Sequence, residues 1–241
     1  ESESRGLGDV YKRQDRKIVE IQAIWDIPEL MMQAKAWPMS PSLGREWCVT
    51  GPASMDGLSE ENQDIEKSKA SLEHVMSMLN SMNRHPMEGG PELMKMDHYW
   101  HPRMNWYGPS GIGTARGVQA FRDWHQIPFL NAMPDRGQST KYIERDGSVG
   151  NMSNHLFGDG DYVACTGWPN MSQTLSHDGW MGIPPINKKV TLRSLDFWRL
   201  EAGLIRENWV LVDLLNVYNQ IGVNVFARLA EFNKIRKISN G

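Results

Sequence analysis

The sequence predicts an α+β fold, and two features of its pattern support this. Apolar residues at helical spacing occur mainly before residue 133. Alternating segments rich in β-branched and aromatic residues follow between residues 141 and 212, separated by turn signals. Helices followed by a run of antiparallel strands are typical of α+β domains, in which helices cover one face of the sheet.

A sixteen-residue pattern occurs twice without a gap, at Ile18 to Gln33 and at Ile205 to Gln220. The offset is constant, so Asp26 matches Asp213. We interpret the two copies as tandem repeats of one domain. The expected organisation is a non-native leader at 1–14, the tail of a preceding repeat at 15–37, a linker at 38–60 and a complete domain at 61–241. The leader lacks periodicity and resembles translated adaptor sequence from environmental sequence reads.

The elements can be predicted in order along the chain. Residues 16–36 are predicted to form a strand, a cap and a short helix, and a helical stretch follows Ser59. A short helix is expected at Glu92 to Asp97, an extended segment at Trp100 to Tyr107 and a helix at Gly117 to Met133, kinked by Pro128. The remaining predicted strands are Lys141–Arg145, Met152–Phe157, Tyr162–Thr174, Lys189–Leu200 and Leu204–Val212, before a partly helical end at Leu214 to Lys237.

Composition excludes several classes of partner. The chain has 241 residues, 40% of them hydrophobic, with ten Trp and fifteen Met, which suffices for a sizeable core. The net charge is −3 with dispersed cations, so no nucleic-acid surface is expected. No apolar run approaches the roughly 20 residues needed to span a bilayer. Cys48 and Cys165 match neither a disulfide framework nor a zinc site. A cytoplasmic location is expected, although the missing N-terminus leaves a signal peptide untested.

The last predicted hairpin has two distinct faces. If Glu201, Ala202 and Gly203 form a three-residue loop, Leu200 lies opposite Leu204 and Asp196 lies opposite Asn208. Alternation then places Ser194 and Val210 on the same face as Asp196. The other face carries Arg193, Phe197, Trp209, Leu211 and Asp213. A few polar groups among apolar ones suit a pocket wall.

Four stretches resemble, in order, the SnoaL-like polyketide cyclase (ester cyclase) group of the NTF2-like superfamily: 117–122, 128–136, 182–185 and 195–209, the last followed by Asp213. The resemblance implies a cone with a curved antiparallel sheet wrapped around N-terminal helices and a pocket between them. Relatives catalyse intramolecular aldol cyclisation of polyketide esters. Others on this fold are isomerases, dehydratases, epoxide hydrolases or binders, so the fold leaves function open.

The resemblance also implies which residues after the predicted loop at 201–203 would transfer protons. Many relatives have His-Trp-Asp where this chain has Asn208-Trp209-Val210, and in those relatives the acid is expected to move protons. Val210 cannot do so, and Asp196 is the nearest substitute, although it is equally plausible as a hydrogen-bonded sheet residue. Asn208 and His125 are the expected polar partners. Asp213 is the fallback, but helix N-capping explains it better, as for Asp26.

The expected pocket and its occupant complete the sequence-based hypothesis. The candidate lining residues are Trp106, Tyr107, Trp124, Trp168, His177, Trp180 and Trp209. His98 and His101 have a spacing that metals tolerate but no third ligand, so no metal and no cofactor are expected. The partner is a hydrophobic, carbonyl-bearing small molecule, and a homodimer through the outer sheet face or a pseudo-dimer with the preceding repeat is expected. Two functions stay open: an acid/base cyclase, lyase or isomerase, and a catalytically silent ligand-binding or assembly domain.

Overall fold

A curved six-stranded sheet and the helices against it form the centre of the fold. The computed structural model describes residues 7–40, 64–137, 139–143, 147–152 and 154–239. The strands are β1 Leu7–Gln14, β2 Lys17–Trp25, β3 Trp100–Tyr107, β4 Thr114–Arg116, β5 Lys141–Ile143, β6 Val149–Asn151, β7 His155–Asp159, β8 Tyr162–Leu175, β9 Lys188–Glu201 and β10 Leu204–Val212. The helices are α1 Ile27–Gln33, α2 Ile65–Arg84, α3 Met96–Tyr99, α4 Gly117–Phe121, α5 Ile127–Ala132, α6 Leu214–Gln220 and α7 Val225–Ser239.

The order of strands in the main sheet is β4-β3-β10-β9-β8-β7. Neighbouring strands are antiparallel except β3 and β10, which run parallel. The α+β fold predicted from the sequence is confirmed, with a mixed sheet in place of a purely antiparallel one. None of the described helices combines the length and apolar character that crossing a membrane requires.

Helix α2 packs on the sheet through one apolar face. Its buried residues include Val75, Met78 and Met82, spaced three to four positions apart as a single helical face requires. Close approach is possible because Gly158 on β7 has no side chain: a Cβ there would lie 2.6 Å from the carbonyl oxygen of Ser68. This contact holds α2 across β7 and β8 and leaves space beneath its C-terminal half.

The N-terminal strand is paired, which corrects one expectation from the sequence. As the tail of a preceding repeat, β2 would have lost its own sheet, but β1 pairs with it as an antiparallel hairpin, so residues 7–14 of the expected leader form a strand. Ile18, Ile21 and Trp25 of β2 remain more than half exposed. The following helix α1 is better anchored, because Met31 is buried in the main core. A remnant of a preceding repeat was expected either to pack against the complete domain or to be poorly ordered, and α1 packs against the main core.

The two copies of the sequence pattern have the same local structure. Each consists of a strand, an aspartate cap and a seven-residue helix. The Oδ1 atom of Asp26 accepts a hydrogen bond from the Glu29 amide at 3.1 Å, and that of Asp213 accepts one from the Asn216 amide at 3.0 Å. The other oxygen of Asp26 accepts from the Ser110 amide at 3.0 Å, which ties α1 to the domain. The repeat origin of the copies and the domain boundaries stay predictions.

Several elements differ in detail from the sequence prediction. The helix expected after Ser59 begins at Ile65, where Asp64 caps the Lys67 amide, and the predicted linker lies mostly outside the described residues, as does Cys48. The expected helix at 92–97 is a 3₁₀ turn at Pro91–Met94 followed by α3. The helix at 117–133 is interrupted by a π-helical turn at Arg122–Gln126. Of the strand expected at 152–157, only residues 155–157 lie in a strand, β7, and β6 ends before it at Asn151.

Replacing the Asp213 cap should destabilise the protein. Asp213→Ala removes the acceptor for the Asn216 amide, and we expect the free energy of unfolding to fall by about 0.5–2 kcal/mol. Asp213→Asn keeps a cap oxygen and loses only the charge 3.5 Å from Arg193. Its effect should be smaller, because partly exposed ion pairs contribute little. Urea unfolding followed by circular dichroism measures both, and equal losses would show that the ion pair rather than the cap stabilises α6.

Candidate active site

A cavity of about 450 Å³ lies between α2, the helical segment 117–132 and the inner face of the sheet. Its volume falls in the range of roughly 300–1,000 Å³ that is usual for small-molecule sites. Much of the wall is aromatic, from Trp100, Trp106, Phe121, Phe129, Trp180 and Trp198. The polar side chains on the wall are Asn80, Asn83, His125, Arg136, Ser139, Thr140, Asn154, Asn170, Ser194, Asp196 and Asn208. The cavity therefore suits a largely apolar ligand that carries a few polar groups.

The hairpin of β9 and β10 supplies one wall of this cavity. Val210 pairs with Asp196, and Asn208 pairs with Trp198. Side chains that lie opposite each other on an antiparallel pair point to the same face. Ser194 and Val212 form the next pair on that face, and all six residues line the cavity.

The register differs from the one predicted, although the faces are the same. The loop contains only Ala202 and Gly203, both at positive φ, so Glu201 pairs with Leu204. Such a two-residue turn matches the twist of the strands. A bulge at Arg206 then inserts one extra residue before Glu207 pairs with Arg199. The turn and the bulge together bring Asn208 and Val210 to the same face as Asp196, as the expected three-residue loop would have done, but with Asp196 opposite Val210 instead of Asn208.

Asp196 has the electrostatics of an acid/base group. Its carboxyl accepts a hydrogen bond from the Ser194 hydroxyl at 3.3 Å and interacts with the Asn208 side chain. Burial among aromatic and apolar groups raises the pKa of Asp196 to about 7, although the hydrogen bonds from Ser194 and Asn208 act in the opposite direction. Desolvation disfavours the charged carboxylate, and here it outweighs both hydrogen bonds. The group can therefore accept and return a proton near neutral pH.

A chain of side chains orients this carboxyl. The Asn170 amide donates to the Ser194 hydroxyl oxygen at 2.5 Å, which leaves the hydroxyl proton free to point at Asp196. Asn170 lies where the pairing of β8 with β9 shifts register between Gly167 and Met171. Bulges of this kind re-aim side chains and are common next to active sites. Ser194 is fully buried, so the arrangement is enclosed.

His125 approaches the cavity from the π-helical turn. Its ring stacks on Trp106, with centroids 4.3 Å apart and an interplanar angle of 13°. Burial, and secondarily the nearby Arg136 cation, lower the pKa of His125 to about 3. The imidazole is therefore neutral at physiological pH, and its buried Nδ1 has no hydrogen-bond partner among the described residues. Such a group can polarise a carbonyl by donating a hydrogen bond from one nitrogen, or it can accept a hydrogen bond at the other.

Arg136 adds a cation to the same cavity. One Nη donates to the Met82 carbonyl oxygen at 2.9 Å, and the guanidinium lies 5.9 Å from the centre of the Phe129 ring. Burial lowers the pKa of Arg136 to about 10, so the side chain still carries its charge at neutral pH. Arg136 and Asp196 are the only charged side chains on the wall formed by the described residues.

Comparison with known proteins assigns the family. The family model for SnoaL-like polyketide cyclases matches residues 78–221, which is more than half of the chain. This chain belongs to the SnoaL-like polyketide cyclase family. The match spans the cavity, from the C-terminal half of α2 to the end of α6. No curated protein matches the chain significantly.

Several solved structures are similar to this SnoaL-like chain at low sequence identity. A putative SnoaL-like polyketide cyclase from Jannaschia sp. CCS1 is 15% identical, with a TM-score of 0.48, covering 69% of this chain and 99% of that one. IdmH, a putative polyketide cyclase from Streptomyces antibioticus, is 19% identical, with a TM-score of 0.45 and coverages of 64% and 99%. An NTF2-like protein from Burkholderia pseudomallei K96243 is 14% identical, with a TM-score of 0.44 and coverages of 64% and 98%. The expected cone, a curved sheet with helices packed against it, is confirmed by the described strands and helices themselves.

The SnoaL-like cavity brings together five of the residues selected from the sequence. Asp196, Asn208 and His125 line it, as do Trp106 and Trp180. The carboxyl of Asp213 caps α6 instead, so the preference for the cap is supported by the geometry.

Five expected pocket residues lie elsewhere, for identifiable reasons. Tyr107 and Trp209 point to the outer face of the sheet, where their rings stack 5.5 Å apart, because each lies one position from a cavity residue on its strand. Trp168 lies under the Arg193 guanidinium at 4.8 Å. Trp124 packs against the main core. His177 lies in a loop, where its Nδ1 atom is hydrogen-bonded to the Ser176 hydroxyl at 2.8 Å.

The sequence analysis missed Arg136, Asn170 and Trp198 as wall residues. Arg136 ends one of the stretches on which the family resemblance rested, yet nothing in its spacing distinguishes it from a surface arginine. Trp198 is two positions from Asp196 on a predicted strand, and the alternation of strand side chains was a signal that could have found it. Asn170 had no such signal, because the register shift in β8 changes which face it occupies.

Asp196 should make the stability of the protein depend on pH in a defined direction. Its pKa in the folded chain is about 7, above the ordinary value of 3.8, so between these values the folded state binds more protons than the unfolded state. Its contribution to stability therefore falls as pH rises from about 4 to about 7 and is constant above. Asp196→Asn removes this cost, and its Tm should exceed that of the unmodified protein at pH 8.

The Tm difference between variant and unmodified protein should shrink towards pH 4. This difference, and not either Tm alone, is the quantity to measure, because the lowered pKa of His125 changes stability in the opposite direction over the same range. Asp178→Asn, which removes an exposed carboxylate, is the matched control and should show no such trend. A difference of the same size at pH 4 and pH 8 would contradict the assignment of a raised pKa to Asp196.

Proposed function

We propose that this SnoaL-like domain is an enzyme that moves a proton next to a carbonyl group of a hydrophobic small molecule, as a cyclase or isomerase does. The observation that supports the proposal most is a single carboxyl, Asp196, on the wall of a largely aromatic cavity with a pKa raised to about 7. A general base works best when its pKa lies near the working pH. Structural carboxylates usually have lowered pKa values through ion pairs, and Asp196 has no such pair among the described residues.

The proposed chemistry needs only a proton and an electron pair. The Asp196 carboxylate takes a proton from the carbon next to a substrate carbonyl, and the C–H electron pair becomes that of the enolate. In a cyclase the enolate carbon attacks a second carbonyl of the same molecule and forms a carbon–carbon bond. The resulting alkoxide then takes a proton from the Asp196 carboxylic acid. In an isomerase the enolate is protonated at another carbon instead.

The neighbours of Asp196 have supporting roles in this proposal. Ser194 and Asn208 hold the carboxyl in one orientation, and both favour its ionised form. The neutral imidazole of His125 polarises a substrate carbonyl from the opposite wall, which comes from the helical segment. The buried indole nitrogens of Trp100 and Trp198 have no partners among the described residues, so the wall has spare donors that suit carbonyl oxygens.

The position of Asp196 also offers an explanation for the absent acid in the Asn208-Trp209-Val210 segment. Relatives were expected to have an acid at the position of Val210, which lies directly across from Asp196 on the neighbouring strand. The Cβ atoms of such a pair are about 4.5–5.5 Å apart. A carboxyl on β9 can thus reach nearly the same part of the cavity as one on β10. We propose that Asp196 replaces the relatives' acid from across the ladder.

The second candidate function is a catalytically silent ligand-binding domain. Val210 favours it, because a domain that had lost the usual acid would keep its cavity without its chemistry. The two functions differ in one property that can be measured without knowing the natural substrate. An acid/base enzyme accelerates exchange of hydrogen next to a carbonyl in a bound ketone, whereas a silent binder does not.

Asp196→Asn should abolish proton abstraction. The probe is β-tetralone in D₂O, a two-ring ketone small enough for the cavity, with deuterium incorporation followed by proton NMR. We expect the unmodified protein to accelerate exchange, with a rate that rises with pH and reaches half its maximum near pH 7, because the ionised form of Asp196 is the base. Asp196→Asn should give the buffer rate.

Asp178→Asn is the control for loss of a carboxylate and should exchange at the unmodified rate. If the unmodified protein binds β-tetralone, as seen by quenching of tryptophan fluorescence, yet does not accelerate exchange, the binding-domain function is favoured. Exchange that persists in Asp196→Asn would show that another group is the base.

Moving the carboxyl from position 196 on β9 to position 210 on β10 tests whether Asp196 replaces the relatives' acid. The double variant Asp196→Val, Val210→Asp keeps one carboxyl and one valine on the same pair of positions. We expect it to recover a measurable part of the exchange rate that the single variant Asp196→Val loses, since both positions face the cavity. No recovery in a folded double variant would mean that the hydrogen bonds around Asp196, and not the position of a carboxyl alone, are required.

A further inference from the structure

We propose that Arg136 is a binding site for a carboxylate group on the substrate, at a part of the cavity separate from Asp196. This inference rests on the proposed function in that both groups are taken to act on one bound molecule. It adds a substrate class: a hydrophobic carbonyl compound that also carries a carboxylate.

Arg136 is a cation without a counter-charge among the residues that the structure describes. No carboxylate of the described residues lies within ion-pair distance of its guanidinium, whereas Arg199, which is also poorly exposed, pairs with Glu201 and Glu207 at 3.0 and 2.6 Å. Enclosing a charge without a partner is costly, and buried charges are normally paired. An anionic ligand would supply the missing partner.

The guanidinium has donors to spare. Its only hydrogen bond to the described residues runs from one Nη to the Met82 carbonyl oxygen, and its buried Nε has no partner. Within the described parts of the chain, the donors of Nε and the other Nη are available to a ligand. A guanidinium and a carboxylate are both planar, and two parallel N–H···O bonds can join them.

The loop that carries Arg136 is braced, so the cation is held in place. Asp135, the preceding residue, accepts hydrogen bonds from the amide and the hydroxyl of Thr174 on β8, both at 2.8 Å. On the other side, Gly137 has a φ of +76° and lies against Asn83 of α2. Asp135 is thereby tied to the sheet, and Gly137 lies beside a helix. A positioned donor costs less entropy on binding than a mobile surface arginine.

Arg136 and Asp196 lie on different parts of the cavity wall, so one bound molecule can contact both. Arg136 contacts the Met82 carbonyl of α2 and the Phe129 ring of α5, whereas Asp196 lies on β9 and bonds to Ser194 of the same strand. The rings of His125 and Phe129 are 5.5 Å apart, so Arg136 and His125 both lie against Phe129. Arg136 and His125 thus belong to the helical side of the cavity, opposite the hairpin that carries Asp196. A carboxylate held at Arg136 would leave the rest of the molecule extending towards Asp196.

Ligand pairs that differ only in charge test this assignment. The probes are 2-naphthoate and the neutral 2-naphthamide, with the Kd of each measured by isothermal titration calorimetry at pH 7.5 on the full chain. We expect the unmodified protein to prefer the carboxylate by about 10- to 100-fold, the range expected for hydrogen bonds to charged groups. Arg136→Gln should remove the preference, and Arg136→Lys should retain part of it, because lysine keeps the charge without the planar pair of donors.

Arg84→Gln is the matched control, since it removes a surface arginine whose partner is the exposed Glu88. It should bind both probes as the unmodified protein does. Asp196→Asn should also keep the preference, so loss of hydrogen exchange with intact carboxylate binding separates this inference from the proposed function. If Arg136→Gln fails to fold, the unmodified protein still decides: equal affinity for the two probes overturns the inference. So does an unchanged preference in a folded Arg136→Gln.

Discussion

The register between β9 and β10 determines the chemistry that this domain can perform. Side chains alternate along a strand, so a shift of one residue moves every side chain to the other face. After the two-residue turn alone, Asp196 would lie opposite Trp209, and Glu207 would turn towards the cavity. The extra residue at Arg206 restores the parity that pairs Asp196 with Val210. One bulge thus decides which hairpin residues line the cavity and which face outwards.

The charged groups on the two faces of this hairpin have different surroundings. On the outer face Glu207, fully buried, accepts from Arg199 and from the Tyr107 hydroxyl, so its charge is satisfied by the protein. On the inner face, the donors to Asp196 among the described residues are the neutral side chains of Ser194 and Asn208. The charges on the outer face are paired, whereas a desolvated carboxyl without a counter-charge costs stability and gains reactivity. This contrast is the physical basis for assigning structure to one set of charges and chemistry to the other.

Membership of the SnoaL-like family constrains the fold more tightly than the reaction. A reaction in a cavity depends on where a carboxyl lies in space and on how dry its surroundings are, and a neighbouring strand can supply that carboxyl as well as the usual one. Val210 and Asp196 are fourteen positions apart in sequence and directly opposite in the sheet. The asymmetric charge of the wall, with Arg136 on the helical side and Asp196 on the sheet, further limits the molecules that fit.

The sequence by itself determined the elements and much of the hairpin wall. Strand β10 has the predicted bounds, Asp26 and Asp213 are caps as their sequence context indicated, and Asp196, Asn208 and His125 line the cavity. These properties follow from local periodicity and capping chemistry, which depend on neighbours in the chain. Only the tertiary structure decided the pairing of β1 with β2, the outward direction of Tyr107 and Trp209, and the place of Arg136 in the cavity. Each of these depends on a bulge, a partner strand or a loop packed between two elements, and such contacts join residues that are far apart in sequence.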